Sequence, residues 1–165
     1  MILSPIQNTS KDNGGTWSQV RPRITQGFGE NPHIYKQFGM DGHNGVDFGD
    51  NGDDNIFAPF EGVAVVQDSG SGGYGLHVRI KDDTKECVLG HLSEVNVIDG
   101  QNIGMGDKIG VMGDTGFSTG KHLHLGMRFL EDGQVLNYGN GYFGYVDPMP
   151  FMVWWKGAGS NTTLE

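Results

Sequence analysis

The chain is short of several things, and each shortage removes a class of function. It has one cysteine, Cys87, in 165 residues, so no disulfide can form within it. Cys87 sits in Glu86-Cys87-Val88-Leu89, a strand-like stretch where a lone thiol reads as a small buried hydrophobe. No apolar run approaches the about 18 residues of a membrane-crossing helix, so no membrane span is expected. Positive charge is scarce: 11 Lys and Arg stand against 20 Asp and Glu, for a net charge of −9. Nucleic-acid binding requires a basic footprint, so no nucleic-acid partner is expected. The acidity also gives no help in reaching an anionic surface, and reads as keeping the domain soluble. Met1-Ile2-Leu3-Ser4-Pro5 has no basic region followed by an apolar stretch, so no signal peptide is visible there. Helical periodicity of ordinary length is missing throughout.

Glycine is what the chain has in quantity. There are 29, without a collagen-like period, beside 36% hydrophobic residues. This reads as many short strands joined by tight turns. Strands are expected from Arg23-Ile24-Thr25-Gln26, Gly62-Val63-Ala64-Val65-Val66-Gln67, residues 86–90, Lys108-Ile109-Gly110-Val111-Met112, and a stretch through His122 that ends near Phe129. Tyr74-Gly75-Leu76-His77-Val78-Arg79-Ile80 alternates, with Leu76, Val78 and Ile80 inward and His77 and Arg79 outward. His77 is therefore expected at the surface. Asp50-Asn51-Gly52-Asp53-Asp54-Asn55 lacks the spacing of a calcium loop and reads as a solvated turn. Tyr35 is assigned to packing, Ser93 to capping a helical turn, residues 135–146 to a hairpin beside a cleft, and Phe151, Val153, Trp154 and Trp155 to covering a core edge.

The fold class is all-β, mainly antiparallel: an open barrel or sandwich of short strands with long loops around a cleft and very little helix. The length suits one domain. Residues 1–20 are expected to be a polar arm or linker that Trp17 anchors, residues 21–156 the folded domain, and residues 157–165 a disordered tail whose Leu164-Glu165 looks like a cloning scar.

Gly116-Phe117-Ser118-Thr119-Gly120-Lys121-His122-Leu123-His124-Leu125 carries two histidines two residues apart. In a strand they share one face, while Leu123 and Leu125 point into a core. Such a pair suits a metal or acid–base site; a solvent-facing pair or an accidental copper site would look the same. His43-Asn44-Gly45-Val46-Asp47 adds an imidazole and a carboxylate. With His124 the set is His2Asp with a fourth position open, the pattern of a catalytic zinc site whose open position holds water. His91, in Gly90-His91-Leu92-Ser93, is a further histidine that its local pattern does not explain.

Taken in order, His43-x-x-x-Asp47, Gly90-His91-Leu92-Ser93, Gly104-x-Gly106-Asp107-Lys108-Ile109-Gly110 and Gly113-x-Thr115-Gly116-x-Ser118-Thr119-Gly120-x-His122-x-His124 resemble the lysostaphin/LytM-type zinc endopeptidases, which cut peptide cross-links of bacterial cell walls. The resemblance runs from about Ile24 to about Met152. It implies one Zn2+ held by His43, Asp47 and His124, with His91 and His122 as the catalytic pair. It also implies a peptidoglycan peptide as substrate, a chain acting as a monomer, and action at the cell wall, as part of a longer protein or delivered by lysis or a phage particle. Glu30-Asn31-Pro32 follows Gly27-Phe28-Gly29, where many members of the family carry an arginine.

Two other readings compete. One is a metal-free LytM-like module that binds or activates a separate wall hydrolase; the filled ligand positions oppose it. The other is a phosphocarrier with a related β fold and a histidine pair, which has no use for Asp47. Pentaglycine bridges, D-Ala to diamino acid cross-links and stem-peptide bonds all stay open as the bond cut.

Overall fold

The strand His122–Glu131 alternates so that Leu123, Leu125 and Met127 enter the core and His122, His124, Gly126 and Arg128 face the other way. The fold is built outward from this strand. The structure, a computed structural model, describes residues 1–7, 9–11, 17–19 and 22–155, with residues 9–11 and 17–19 described by their backbone alone. On one side of His122–Glu131 lies Val46–Gly49, on the other Lys85–Gly90, both antiparallel. Continuing past Lys85–Gly90 come Leu76–Lys81, Gly62–Asp68 and Asn102–Ile103; beyond Val46–Gly49 comes Ile24–Gln26. Gln134–Val135 and Tyr145–Val146 also pair with the long strand, which completes nine strands.

A second sheet of three strands, Leu92–Val95, Lys108–Met112 and Asn55–Phe57, covers one face of the large sheet. The core lies between them. Ile56, Leu92, Ile109 and Met112 from the small sheet join Phe48, Ile80, Leu89, Leu123 and Leu125 from the large one in one buried cluster. Fully burying a side chain of this size stabilises by about 1.5–3 kcal/mol, so the polar alternates are left on the opposite face. Cys87 is part of this cluster, and burial pushes its thiol pKa up, so it is an inert core residue. The expected all-β, mainly antiparallel class is what the structure shows. Helix is limited, among the described residues, to Pro32–Tyr35 and the 3-10 turns Lys36–Phe38 and Met149–Phe151.

Several local expectations are corrected. Residues 1–7 are not a solvated arm. Ile2–Leu3 pairs in parallel with Met152–Val153, and Ile2, Leu3 and Ile6 are buried. The apolar run is too short to show a period, yet it fills the edge between the two sheets. Ser93 caps no helix; it lies in Leu92–Val95 and its hydroxyl donates to the Met112 carbonyl (3.1 Å). Residues 135–146 are not a simple hairpin, because Gln134–Val135 and Tyr145–Val146 each pair with His122–Glu131 and not with one another. The turn at residues 50–55 is held by short-range Asp and Asn contacts, such as Asp50 Oδ1 accepting from the Gly52 amide (2.7 Å). Trp154 stands edge-on to Phe48, Phe151 to Phe129 and Trp155 to Phe57, so these aromatic residues cover the core edge. The Trp17 side chain and residues 157–165 lie outside the described residues. No helix among the described residues is long and apolar enough to cross a membrane.

Candidate metal centre

Asp47 lies directly opposite His124 where Val46–Gly49 pairs with His122–Glu131. This cross-strand pairing puts a carboxylate against an imidazole on the face away from the core. His43 arrives from the loop before Val46–Gly49. Its Nε2 is 3.1 Å from Asp47 Oδ1 and 2.9 Å from His124 Nδ1. His124 Nδ1 is itself 3.1 Å from Asp47 Oδ1. The three atoms form a small triangle, and all three residues are buried.

The chemistry of that triangle can be read from its surroundings. His43 Nδ1 lies 3.1 Å from the Gly27 carbonyl, which can only accept, so Nδ1 carries the proton and Nε2 presents a lone pair to the triangle. Asp47 is ionised: burial pushes its carboxyl pKa up, but the His124 and His43 rings against it outweigh burial and hold it well below the usual carboxylate range. Burial lowers the His124 pKa to about 4 against the opposing pull of Asp47, so its ring is neutral at neutral pH. Electron-rich atoms at such spacing repel unless a proton or a cation lies among them. His124 Nε2 is buried with no hydrogen-bond partner, which shows that the ring is aimed by its Nδ1 side. Two imidazoles and a carboxylate converging on one point suit a small borderline-soft divalent cation.

Gly45 is what lets the His124 ring lie there. A Cβ at residue 45 would stand 2.6 and 2.8 Å from atoms of that ring and 2.4 Å from the Leu125 carbonyl oxygen.

Beside the triangle stand His91 and His122, ring centroids 4.6 Å apart. His122 Nδ1 donates to the Gly120 carbonyl (2.7 Å) and His91 Nδ1 to the Thr115 carbonyl (2.7 Å). Nε2 is therefore the atom of each ring that can gain or lose a proton, and His122 Nε2 lies 3.5 Å from Asp47 Oδ2. The His91 pKa is lowered, first by burial, with the Thr115 hydrogen bond opposing and His122 adding to the fall. His91 has a left-handed backbone, φ 62°, a costly state for a residue with a Cβ. Its amide is held there by the Tyr74 carbonyl (2.8 Å). The loops that grip it cross at Gly75 and Gly116, both at positive φ, and a Cβ on either would lie within 2.4 Å of the other loop's backbone.

These groups line a cleft of about 600 Å³. Tyr35 is not simply packed away: it lines this cleft, its ring 5.2 Å from that of His43, and its hydroxyl donates to Gln26 Oε1 (3.0 Å). Burial and the charge of Asp47 push its pKa up to about 12, so it stays a donor. His77 is also corrected. It is buried on the cleft side of the sheet, 3% exposed, with Nδ1 donating to the Gly75 carbonyl (2.8 Å) and its ring against Tyr74. The structure thus brings His43, Asp47, His124, His91 and His122 into one cleft and leaves His77 out of the triangle. Sequence reading passed over Tyr74, Arg79, Arg128 and Tyr145 on the same cleft wall, although Arg128 continues the two-residue period of His122 and His124.

The fold is shared with known peptidases. The catalytic domain of lysostaphin from Staphylococcus simulans is 28% identical, with a TM-score of 0.62 over 79% of this chain and 91% of that one. The catalytic domain of the prophage-encoded M23 protein EnpA from Enterococcus faecalis is 27% identical, with a TM-score of 0.59 over 85% of this chain and 95% of that one. In sequence, the chain is 34% identical over 96 residues, 58% of its length, to an uncharacterised metalloprotease of Haemophilus influenzae, and 34% identical over 120 residues, 72% of its length, to the DD-carboxypeptidase/endopeptidase Mpg of Neisseria meningitidis. It spans only 20% and 26% of the lengths of those two relatives. The sequence profile of peptidase family M23 matches residues 41–142, more than half of the chain and all five of the residues gathered in the cleft, and the chain belongs to that family of metallopeptidases.

Proposed function

We propose that this chain is a zinc-dependent endopeptidase that hydrolyses peptide cross-links or stem peptides of bacterial peptidoglycan. The observation that carries this reading is the triangle of His43 Nε2, Asp47 Oδ1 and His124 Nδ1 beside two imidazoles whose Nδ1 protons are held on backbone carbonyls. The domain proposed to carry the activity is residues 21–156, with residues 1–7 clasped to it. Its place of action is the cell wall.

His43, Asp47 and His124 would hold the metal. When bound, zinc lowers the pKa of a water to about 7 and polarises the scissile carbonyl. The chain's own groups supply the rest. His91 and His122, with their Nδ1 protons fixed on carbonyls, each have Nε2 left to exchange a proton. One accepts a proton from water at Nε2 as oxygen adds to the carbonyl carbon, and the other, when protonated at Nε2, donates to the charge that develops on the carbonyl oxygen. As the carbon–nitrogen bond breaks, the proton passes to the leaving amine. Asp47 Oδ2, 3.5 Å from His122 Nε2, favours the imidazolium that forms in transit. The Tyr74 and Tyr35 rings pack against His124 and His43 and keep bulk water from their faces.

The test is digestion of purified walls of known cross-link type, with released termini identified by mass spectrometry and metal measured on the same protein. Stoichiometric zinc, loss of release on chelation and recovery on adding zinc are expected. A folded protein that binds no zinc and releases no peptide would overturn the reading.

A further inference from the structure

The far end of the cleft carries a different chemistry. Arg128 lies on the cleft face of His122–Glu131, four residues from His124, or about 13 Å at ordinary strand rise. Glu86 is directly opposite it on Lys85–Gly90, and Arg79 lies one strand further. Both guanidiniums converge on one carboxylate oxygen: Arg79 Nη1 at 2.9 Å, Arg128 Nε at 3.0 Å and Arg128 Nη2 at 2.8 Å from Glu86 Oε1. Arg79 also donates to the Tyr145 hydroxyl (2.8 Å) and to Gln67 Oε1 (3.1 Å).

Two cations share one anion, so the triad carries a charge of +1. It does so in a chain whose net charge is −9 and which has four arginines in all. Arg79 and Arg128 line the cleft, and Asp47 is the carboxylate that does so. Arg79 Nη2 and Arg128 Nη1 have no hydrogen-bond partner among the described residues. A purely structural pair would need one guanidinium per carboxylate; here a second is left over and lies along the wall of the cleft. Between the histidines and this triad the floor is flat, because Gly126 has no side chain and the Tyr145 ring lies over it. An extended peptide laid along His122–Glu131 would reach from His124 to Arg128 in about four residues.

We propose that Arg128, with Arg79 behind it, binds a carboxylate of the peptide substrate three to four residues from the scissile bond, and so sets which peptides are cut. The inference rests on the reading of the cleft as a peptidase site. A guanidinium fork matches a carboxylate in two parallel hydrogen bonds, and such charge-assisted bonds are about twice as strong as neutral ones. The carboxylate could be chain-terminal or on a side chain; the chemistry is the same.

The experiment uses one cross-linked stem-peptide dimer in three forms: all carboxylates free, the terminal carboxylate as its amide, and the side-chain carboxylate as its amide. Hydrolysis is followed on zinc-loaded protein, and binding by calorimetry on protein stripped with chelator. One of the two amides is expected to bind about tenfold more weakly and to raise KM with little change in kcat, and which one it is names the source. Arg128→Gln should bind free and amidated forms alike, while Arg128→Lys should keep part of the preference. The acid-to-amide ratio is independent of how much of a variant folds. An unchanged ratio in Arg128→Gln, or equal binding of all three forms by the natural chain, would overturn the proposal. Equal hydrolysis of all three forms would sink it and leave the peptidase reading standing. An Arg128-dependent preference in binding, with no hydrolysis of any form, would do the reverse.

Discussion

His91 and His122 stand ring against ring, 4.6 Å apart at their centroids, and each gives its Nδ1 proton to the carbonyl of a loop residue. That shared arrangement fixes both tautomers and leaves two free Nε2 atoms beside the metal triangle. Replacing either residue should therefore leave the metal and remove the proton relay. We expect His91→Asn, which tolerates the left-handed backbone, and His122→Ala to keep zinc and lose about 10²–10⁴ in kcat. Metal content and single-turnover rates measured together check this. Loss of zinc in His91→Asn would move His91 into the ligand set.

Asp47→Ala and His124→Ala should behave differently. Each removes a corner of the triangle, and bound zinc and activity should fall together. Removing the charged corner, Asp47, should also leave the His43 Nε2 and His124 Nδ1 atoms, 2.9 Å apart, with no anion to favour a cation between them. Metal analysis after dialysis against buffered zinc decides the matter: retention of zinc by Asp47→Ala would refute the assignment.

Gly45 touches no metal yet should control it. Gly45→Ala drives a Cβ to within 2.8 Å of the His124 ring and 2.4 Å of a carbonyl oxygen. The ring must turn or the strand must shift, and zinc affinity should fall by about 10–100-fold, the usual cost of disturbing a residue that orients a ligand. Gly72→Ala, which meets nothing within 4 Å, is the control. Competition with a chromophoric chelator reads both.

His77 should contribute to acid lability. Burial lowers its pKa in the folded chain below the roughly 6.5 of free histidine. Between the two values the unfolded chain binds more protons, so stability rises with pH in that window. Read downwards, the contribution is complete above about pH 6.5 and is lost as pH falls below it. The urea midpoint of His77→Gln should fall less between pH 7.5 and pH 5 than that of the natural chain. Equal falls would show that His77 charges freely in the folded state.

Alternation made the site legible. Leu123 and Leu125 announce a core face, and His122 and His124 must then share the other. The same rule misplaced His77, because it assumes that the face away from the core meets water. Here that face is the floor of a cleft, and Tyr74 and the Arg79 network cover it. Nothing within residues 43–47 says that His43 Nε2 will meet His124 Nδ1; that depends on Val46–Gly49 pairing with His122–Glu131 in one register. Ile2, Leu3 and Ile6 were unreadable for a related reason, since their burial comes from Met152–Val153 and Pro59, far away in sequence. Arg128 could have been found by counting two pleats on from His124. An arginine at a strand end reads as solvated, and only Glu86 opposite shows otherwise.

The contact between His43 and His124 joins positions 81 residues apart, and that between Asp47 and His124 joins positions 77 apart. Contacts this remote close late, after the loops between them have been ordered. A nascent chain that has emerged only as far as Leu92 holds His43, Asp47 and His91 but no second imidazole for the triangle. The triangle comes together with the docking of His122–Glu131. The wiring of the sheet therefore ties the triangle to a nearly complete fold: its three atoms meet only once the two strands 77 residues apart have paired.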